Sequence, residues 1–384
     1  MKVLVISFSD LARDPRVARQ LQWLLQMDCS ITVLSYGQTN QPIDQQFSFS
    51  PFQRTGFDSF KQKIFNACVL LKKDYERFYW TRPEVQFFED ILKNRLNKTY
   101  DLIIANDFNT LPLIARYKRG SKVLLDAHEY TPEEFTDNLK WRIFFQNYCF
   151  ETCRKYLPYV DTMMTVNAEI ANQYAEVFKI PLPFVLTNAT SYYPMAPSKV
   201  AEDKIRLIHH GVASRSRSFD RMIRMFDHLD ERFYLDLIMV PGDKKYIEKI
   251  KRLVKKYPRI RCIPPVPMNE IVPFTNQYDI GVYLLPPVNF NYLNGLPNKL
   301  FEFIQARLAI AIGPSPAMKR LVTQYDCGVV SSDFQAKSLA VLLNALTRKD
   351  IVKMKKNAHF AAKEQNADVN KDIIKQAIKE ALMS

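Results

Sequence analysis

The residues best placed to do chemistry lie in one short segment, Leu296-Pro-Asn-Lys-Leu-Phe-Glu302. Pro297 suits the first turn of a helix, because its missing N–H would be unpaired there and its φ is already helical. The N–H groups of that turn, together with Lys299, would form an anion site. Glu302 follows about a turn and a half later, where its carboxylate is placed to accept from hydroxyls close to the anion. A phosphate beside sugar hydroxyls indicates a nucleotide.

The same spacing fits a second interpretation, a capped amphipathic helix that leads into a buried strand. Residues 308–313, Leu-Ala-Ile-Ala-Ile-Gly, follow closely and form an apolar run of strand length. The segment alone leaves both interpretations open.

Apolar runs of strand length alternate with helical patterns, which favours an α/β protein with a parallel sheet covered on both faces. Asp14 is placed to cap the first helix, with Pro15 at its first position. Polar residues follow several of the runs, at the carboxyl edge where such sheets bind ligands. The predicted strands are residues 3–8, 31–35, 102–105, 123–127, 205–208, 234–240, 261–263, 280–284 and 309–312.

Length and a proline-rich interruption indicate two domains. The chain has 384 residues, whereas single cores stop growing at roughly 250–300 residues. Four prolines between residues 181 and 197 interrupt any regular element, and a polar stretch ends at Lys204 before a new strand begins. We therefore predict domains over residues 1–193 and 204–365, followed by a helical segment over 366–384.

Further segments extend the pattern, and their order along the chain is informative. They are Asp14-Pro-Arg-Val-Ala-Arg-Gln20, Ala105-Asn-Asp107, Leu125-Asp-Ala-His-Glu129, Pro132-Glu-Glu-Phe135, His210-Gly211, Pro264-Pro-Val-Pro267 and Asp279-Ile-Gly-Val282. Together with residues 295–316 they resemble the landmarks of family 4 of the retaining glycosyltransferases, in that family's order. The resemblance implies the GT-B fold, in which two Rossmann-like domains with parallel sheets face each other across a cleft. It also implies that the last helix crosses back to the first domain.

In the second domain the resemblance implies a nucleotide-sugar site. Arg217 takes the place of a basic residue that binds the donor's diphosphate, and Ser218 takes the place of the family's glycine. A second family arginine is Val212 here, which leaves Arg215 as a substitute. The other residues of the predicted donor site are Gly211, Pro264, Val266, Asn294, Asn298, Lys299 and Glu302.

Two positions bear on what this donor site can do. By resemblance Glu302 binds the ribose, and Asn294 stands where many members carry a glutamate that faces the donor sugar. Asparagine hydrogen-bonds sugar hydroxyls but carries no charge, so it gives a developing oxocarbenium ion less electrostatic help. The residues assigned to catalysis are His128, Arg217, Asn294 and Lys299.

In the first domain, His128 is similar to the family histidine that contacts the donor sugar near the reacting carbon, and Glu129 is placed to orient it. Asn106 and Asp107 are expected to line the acceptor side, and Arg16 belongs to a loop that closes the same cleft. The structural alternatives are a loop histidine satisfied by the backbone and a simple Asx turn.

The net charge bears on partners. It is formally +14, with a pI near 9.3, which favours an anionic partner. Residues 60–82 mix Phe60, Ile64 and other apolar residues with six lysines and arginines, which predicts a segment lying on an anionic membrane surface. The alternative is an ordinary amphipathic helix packed on its own domain. No nucleic-acid-binding motif is present, so nucleic acid is not an expected partner.

Missing motifs narrow the chemistry. The chain has no GxGxxG, which argues against a nicotinamide or flavin enzyme. It has no Asp-x-Asp and no cluster with metal-ligand spacing, so neither a metal nor a cofactor is expected. The six cysteines include no CxxC pair, which favours reduced thiols and the cytoplasm. No apolar stretch reaches the ~20 residues of a spanning helix, so we expect a peripheral protein on the inner face of the membrane.

The sequence therefore predicts metal-independent transfer of a sugar, with retention, from a nucleotide-sugar to a lipid-linked or polymeric glycan acceptor during surface-polysaccharide assembly. Two other hypotheses stay open. One is a catalytically silent GT-B subunit that binds a partner or membrane, motivated by Asn294 and Val212. The other is a nucleotide-sugar epimerase of similar fold.

Overall fold

The apolar runs become the strands of two separate parallel sheets in a computed structural model of the chain. The structure describes residues 1–50, 56–96 and 98–384, and it leaves out the side chains of residues 56–60. One unit comprises Met1–Leu186 together with Lys371–Ser384, and the other comprises Thr187–Asn370. Residues 187–193, which the sequence placed in the first domain, lie in the second unit, where Arg307 Nη2 donates to the carbonyl of Tyr193 at 2.6 Å.

The first unit has, within the described residues, a seven-stranded parallel sheet in the order β3-β2-β1-β4-β5-β6-β7. The strands are β1 (Lys2–Asp10), β2 (Ser30–Tyr36), β3 (Gln45–Phe49), β4 (Leu102–Asn106), β5 (Lys122–Ala127), β6 (Thr162–Thr165) and β7 (Phe184–Val185). The helices are α1 (Pro15–Leu25), α2 (Gly56–Leu71), α3 (Tyr75–Trp80), α4 (Pro83–Asp90), α5 (Leu111–Tyr117), α6 (Leu139–Trp141), α7 (Asn147–Tyr156) and α8 (Ala168–Phe178). A π-helical turn, Arg142–Gln146, joins α6 to α7.

The second unit has, over its described range, a six-stranded parallel sheet in the order β10-β9-β8-β11-β12-β13. The strands are β8 (Ile205–Val212), β9 (Phe233–Val240), β10 (Ile260–Ile263), β11 (Ile280–Tyr283), β12 (Ala309–Ile312) and β13 (Gly328–Val330). The helices are α9 (Phe219–Arg224), α10 (Lys244–Val254), α11 (Ile271–Thr275), α12 (Phe290–Asn294), α13 (Asn298–Gln305), α14 (Pro316–Gln324), α15 (Ala336–Ala345) and α16 (Arg348–Glu364). Helix α17 (Ala367–Met383) begins in this unit, and its residues from Lys371 onward belong to the first unit. All the strands predicted from apolar runs are confirmed.

Helix starts follow the local chemistry of the sequence. Asp14 caps α1 by accepting from the backbone N–H groups of Arg16 and Val17, both at 3.1 Å, with Pro15 in the first turn. The helix predicted near Pro297 is also confirmed, although α13 begins one residue later, at Asn298. Pro297 is its N-cap, with the extended angles φ −76° and ψ 154°.

Helix α13 packs directly against β11 in the sheet of the second unit. A Cβ built on Gly281 in β11 would lie 2.4 Å from the ring of Phe303, so only glycine allows this ring to pack there. Phe303 is fully buried and meets the imidazole of His210 edge-on at 5.2 Å between ring centroids. The packing therefore holds the first turn of α13 beside the carboxyl end of β8.

A buried ion pair joins α1 to the sheet of the first unit. The guanidinium of Arg16 donates twice through Nε to the carboxylate of Asp126 (3.1 and 2.9 Å) and once through Nη2 (2.5 Å). Its Nη1 donates to the carbonyl of Leu186 at 2.7 Å, and Gln20 Nε2 donates to Asp126 at 3.2 Å. Both ions are buried, so each depends on the other for compensation.

Removing one side of this pair should destabilise the first unit. Arg16→Ala leaves a buried carboxylate without its guanidinium, and we expect a loss of about 3–5 kcal/mol in the free energy of unfolding. The chain's three tryptophans, Trp23, Trp80 and Trp141, all lie in the first unit, so denaturation followed by tryptophan fluorescence reports on that unit. The control, Arg154→Ala, removes an exposed pair with Glu151 and should leave the midpoint unchanged. Equal shifts in both variants would contradict the assignment.

Candidate functional site

The strand order of the second unit creates a crevice beside its first strand. The chain continues from β8 to β9 and β10 on one side of β8, and then returns to place β11 on the other side. Ligands bind at switch points of this kind, where the strand order reverses. The carboxyl end of β8 carries His209, His210 and Gly211, and β11 ends nearby at Tyr283. The predicted donor residues therefore surround the switch point.

Lys299, in the first turn of α13, is buried beside this crevice, with only 6% of its surface exposed. Its Nζ lies 4.3 Å from the centroid of the Tyr283 ring, and no hydrogen-bond acceptor reaches it among the described residues. Gly211 makes room for it, because a Cβ there would lie 2.7 Å from Nζ and the backbone φ of +147° disfavours other residues. A buried ammonium without a protein acceptor is suited to bind an anion.

The electrostatics of the crevice are dominated by burial and by two neighbouring cations. Burial lowers the pKa of Lys299 well below its usual range, and Arg217 lowers it further, while Glu302 acts in the opposite direction. Burial and then Lys299 also lower the pKa of His210 to about 3 and the pKa of His209 well below its usual range. Both imidazoles are thus neutral near pH 7, so an anion here would face lysine and arginine alone.

The turn after β8 places one of its two arginines at the crevice. Arg217 Nη1 lies 3.6 Å from a Cβ built on Gly211, next to Lys299. Arg215 instead is 75% exposed and lies 3.4 Å from the carboxylate of Asp243. Ser218 has the left-handed angles φ +41° and ψ 57°, which glycine adopts most easily. The serine therefore takes up the backbone conformation of the glycine that it replaces.

The remaining predicted donor residues divide between the crevice and its surroundings. Glu302 Oε2 lies 3.5 Å from His210 Nε2, beside the first turn of α13. Asn294 is buried, and its amide nitrogen donates to the carbonyl of Phe290 in its own helix at 3.1 Å. Asn298 is half-buried as the first residue of α13. Two further residues follow the end of β10, the exposed Pro264 and the half-buried Val266.

In the first unit, Asp107 and His128 form a pair at the ends of β4 and β5. Asp107 Oδ1 accepts from the backbone N–H of His128 at 2.9 Å, and its Oδ2 lies 3.4 Å from His128 Nδ1. Asp107 has φ +64° and ψ 161°, a costly conformation for a residue with a Cβ. Strain of this kind is concentrated at functional sites, and here it aims a carboxylate at the predicted catalytic histidine.

Three other first-domain predictions have different surroundings. Asn106 is 1% exposed, and its amide nitrogen donates to Gln20 at 3.1 Å. Arg16 is committed to Asp126, as described above. The side chain of Glu129 is exposed, and its carbonyl accepts from Tyr174 at 2.9 Å. Asp107 thus contacts His128, whereas Asn106 and Arg16 lie in the buried support behind the strand ends, and the orienting role of Glu129 stays a prediction.

Sequence reasoning did not single out Tyr283, Asp126 or Gln20. Asp126 lies inside the quoted segment 125–129, so a charged residue within an apolar run was the available signal. Nothing local marked Tyr283, whose ring faces Lys299 only because β11 lies next to β8.

The basic, aromatic segment over residues 60–82 is divided by the fold. Phe60 lies outside the described side chains. Val69, Phe78 and Tyr79 are at most 5% exposed and pack within the first unit, so these three are not a membrane surface. Ile64 and Leu71, two turns apart on α2, are 50% and 59% exposed.

Comparisons with known proteins bear on the fold. No protein-family profile matches the sequence, and no curated protein is significantly similar to it. The chain is similar to the solved structure of sucrose-phosphate synthase from Thermosynechococcus elongatus (12% identity, TM-score 0.73, covering 99% of this chain and 98% of that one). It is also similar to Anabaena HepE in complex with UDP-glucose (13%, 0.65, 99% and 99%) and to the UDP-forming α,α-trehalose-phosphate synthase of Burkholderia vietnamiensis (10%, 0.67, 99% and 100%). The chain has the GT-B fold.

Among the residues that the structure describes, no group of three or more His, Cys, Asp or Glu side chains could hold a metal ion. None of the described helices is long and apolar enough to cross a membrane.

The lowered pKa of Lys299 predicts proton uptake on binding a diphosphate. A phosphate beside Nζ raises the pKa of Lys299, so the complex holds more protons than the free protein. UDP affinity should therefore fall as pH rises from the lowered pKa of the free protein to the higher pKa of the complex. Calorimetry in buffers of different ionisation enthalpy measures the uptake at pH 8 and above, where phosphate (second pKa about 6) no longer titrates. Lys299→Met should abolish the uptake, and Lys319→Met, at an exposed lysine of α14, should retain it. Uptake that survives Lys299→Met would exclude this lysine.

Proposed function

We propose that this protein is a glycosyltransferase that moves a sugar from a nucleoside-diphosphate sugar to a lipid-linked or polymeric glycan acceptor with retention of configuration. The role we propose for it is in surface-polysaccharide assembly. The observation that carries the proposal is the buried Lys299 ammonium, which has no described hydrogen-bond acceptor and lies at the N-terminus of α13 beside the β8–β11 crevice. The GT-B fold and the UDP-sugar bound to HepE support a nucleotide-sugar as the anion.

The proposed roles follow from the geometry of each unit. Lys299, Arg217 and the first-turn N–H groups of α13 bind the diphosphate, and Glu302 accepts from the ribose. As the glycosidic bond to phosphate breaks, these cations stabilise the charge on the leaving oxygen, which helps to take the acceptor's proton during attack on the same face. His128, oriented by Asp107, hydrogen-bonds the donor sugar near the reacting carbon.

Glu302 provides the first test of the site. Glu302→Ala should weaken UDP binding by about 1.5–3 kcal/mol, because the ribose loses a hydrogen bond to a charged acceptor. Titration calorimetry measures the change, with Glu270→Ala, at an exposed glutamate of the same unit, as the matched control. Unchanged affinity in a folded Glu302→Ala protein would remove Glu302 from the site.

Arg217 and metal independence form the second test. The cations beside Gly211 neutralise the diphosphate, so EDTA should cost little activity, while Arg217→Gln should slow donor turnover by about 10²-fold or more. Arg215→Gln, at the exposed neighbour, should have a much smaller effect. Activity lost in EDTA and restored by magnesium or manganese would overturn this account of the leaving group.

We also propose that the first unit docks on an anionic membrane at the cytoplasmic face. Helix α2 packs against the π-helical turn 142–146, and the two segments expose apolar residues next to basic ones. Ile143 is 54% exposed and Leu139, at the preceding turn, 60%. Neighbouring exposed cations of these segments are Lys61, Lys63, Lys72, Lys140 and Arg142. Apolar insertion with flanking cations is the pattern of an interfacial surface, at about 1 kcal/mol per basic residue near anionic lipid.

Vesicle binding tests the membrane proposal. Replacing Lys61, Lys63, Lys72 and Lys73 with Gln should reduce cosedimentation with phosphatidylserine vesicles, and salt should weaken the wild type similarly. The matched control replaces four exposed lysines of the second unit, Lys244, Lys245, Lys249 and Lys255, with the same loss of charge. Equal binding by both variants and wild type would leave only packing as the explanation of α2.

The two other hypotheses predict different products. A silent subunit binds UDP but releases none from UDP-sugars, and an epimerase interconverts the donor without an acceptor. Release of nucleoside diphosphate that depends on an added acceptor excludes both. A screen of UDP-, GDP- and dTDP-sugars identifies the donor base at the same time.

A further inference from the structure

The first unit contains a cavity of about 310 Å³ that none of the preceding roles uses. It lies between α3 and α7, with Pro112 of α5 in its wall. A volume near 300 Å³ is at the lower end of small-molecule sites. Four tyrosines and two glutamates of its wall carry the argument: Tyr75, Tyr79, Tyr148, Tyr156, Glu76 and Glu151.

The charges of the wall balance, which argues against an ionic ligand. The three acids are Asp74, Glu76 and Glu151, and the three bases are Lys73, Arg154 and Lys155. Lys155 Nζ donates to Glu76 Oε1 at 2.6 Å, and Arg154 donates to Glu151 Oε2 at 2.9 and 2.5 Å. Two of the three bases, Arg154 and Lys155, are thus paired with carboxylates, and an anion would also face the three acids of the wall. A cationic ligand would face three basic groups and glutamates that are already paired.

The polar groups retain the capacity to bind hydroxyls. Both bonds from Arg154 go to one oxygen of Glu151, so Oε1 retains its accepting capacity. Glu76 accepts from Lys155, Tyr156 and the indole N–H of Trp80, and its side chain remains 47% exposed. Carboxylates held in place by cations and tyrosines accept hydrogen bonds from neutral donors.

The aromatic rings supply the apolar part of the surface. Tyr75 meets Tyr148 edge-on at 5.7 Å between centroids, and Tyr75 and Tyr156 are only half-buried, so ring surface remains open to the cavity. The negative face of an aromatic ring attracts the weakly positive C–H groups of a pyranose. Tyrosine rings beside ion-paired carboxylates, with no net charge, match a neutral sugar, which has an apolar C–H face and a rim of hydroxyls.

We propose that this cavity is a saccharide-binding site for a neutral mono- or disaccharide unit, separate from the donor site. It adjoins the acceptor-side strand end, because Tyr79 donates to the carbonyl of Asn109, two residues after Asp107, at 2.7 Å. A sugar of a glycan chain is the ligand class that its chemistry recognises. The site does not depend on the proposed transfer reaction.

Saturation-transfer NMR on the full chain tests the site, with lactose, maltose, N,N′-diacetylchitobiose and mannobiose as neutral probes. At least one disaccharide should bind, with affinity reduced about tenfold or more by Tyr75→Ala and Tyr156→Ala and less by Tyr156→Phe, which keeps the ring. Tyr257→Ala is the matched control, since Tyr257 is a half-buried tyrosine of the second unit whose hydroxyl also donates to a carboxylate. Glu302→Ala should leave saccharide binding unchanged, so failure of the donor site and failure of this site are distinguishable.

Several outcomes would overturn the proposal. One is that no disaccharide in the set binds, and another is that the signal survives both alanine variants with circular dichroism unchanged. Displacement of the sugar by UDP would assign it to the donor crevice. Binding of tetramethylammonium or inorganic phosphate at Tyr75 and Tyr156 in place of sugars would identify an aromatic cage for cations or an anion site.

Discussion

The burial of the Lys299 ammonium is the constraint on which the second unit's site depends. A lysine in this position loses water and gains no described hydrogen bond, so the free protein carries an uncompensated cost that its lowered pKa records. Two glycines make the arrangement possible. Gly281 admits the ring of Phe303 and brings α13 to the sheet, and Gly211 leaves the space that Nζ occupies. The buried Lys299 side chain therefore lowers the stability of the free protein, and a bound anion would restore it.

The first unit treats a buried charge in the opposite way. Asp126 is surrounded by donors from Arg16 and Gln20, and the guanidinium is itself shared with the carbonyl of Leu186. These contacts are all made within the protein, and the network therefore stabilises the ends of the strands. Asp107, one strand away, has instead a strained backbone and a partly exposed carboxylate aimed at His128. Compensated charges form the scaffold, and strained or uncompensated groups form the site.

In both sheets the candidate polar residues lie at the carboxyl ends of the first and fourth strands, which are neighbours. In each sheet the first strand pairs with the second on one side and with the fourth on the other, as β1 does with β2 and β4, and β8 with β9 and β11. Parallel strands that reverse their order at this point open a crevice at their carboxyl ends. Asn106 is the last residue of β4 and Asp107 follows it, while Gly211 lies at the end of β8 and Tyr283 at the end of β11. One rule therefore places the candidate residues of both units.

Local sequence determined the parts of this protein that depend on neighbouring residues. Apolar runs specified most of the strands, and Asp14 and Pro297 marked where helices begin. These features follow from backbone preference and side-chain periodicity, which act over a few residues. The strands β3, β6, β7 and β13 were not predicted, because their apolar runs are short or bounded by polar residues and carry little periodic signal.

Only the tertiary structure decided which predicted residues meet. Arg16 and Asp126 lie 110 residues apart, and their pairing depends on α1 crossing the end of β5. The ring of Tyr283 lies next to Lys299 because β11 is the neighbour of β8 in the sheet. The exposure of Arg215 and the burial of Asn106 also depend on the surrounding fold. Likewise Phe78 and Tyr79 pack inward, where their composition suggested a membrane surface. Composition and spacing do not encode which surfaces the fold brings together, since that depends on packing between segments distant in the chain.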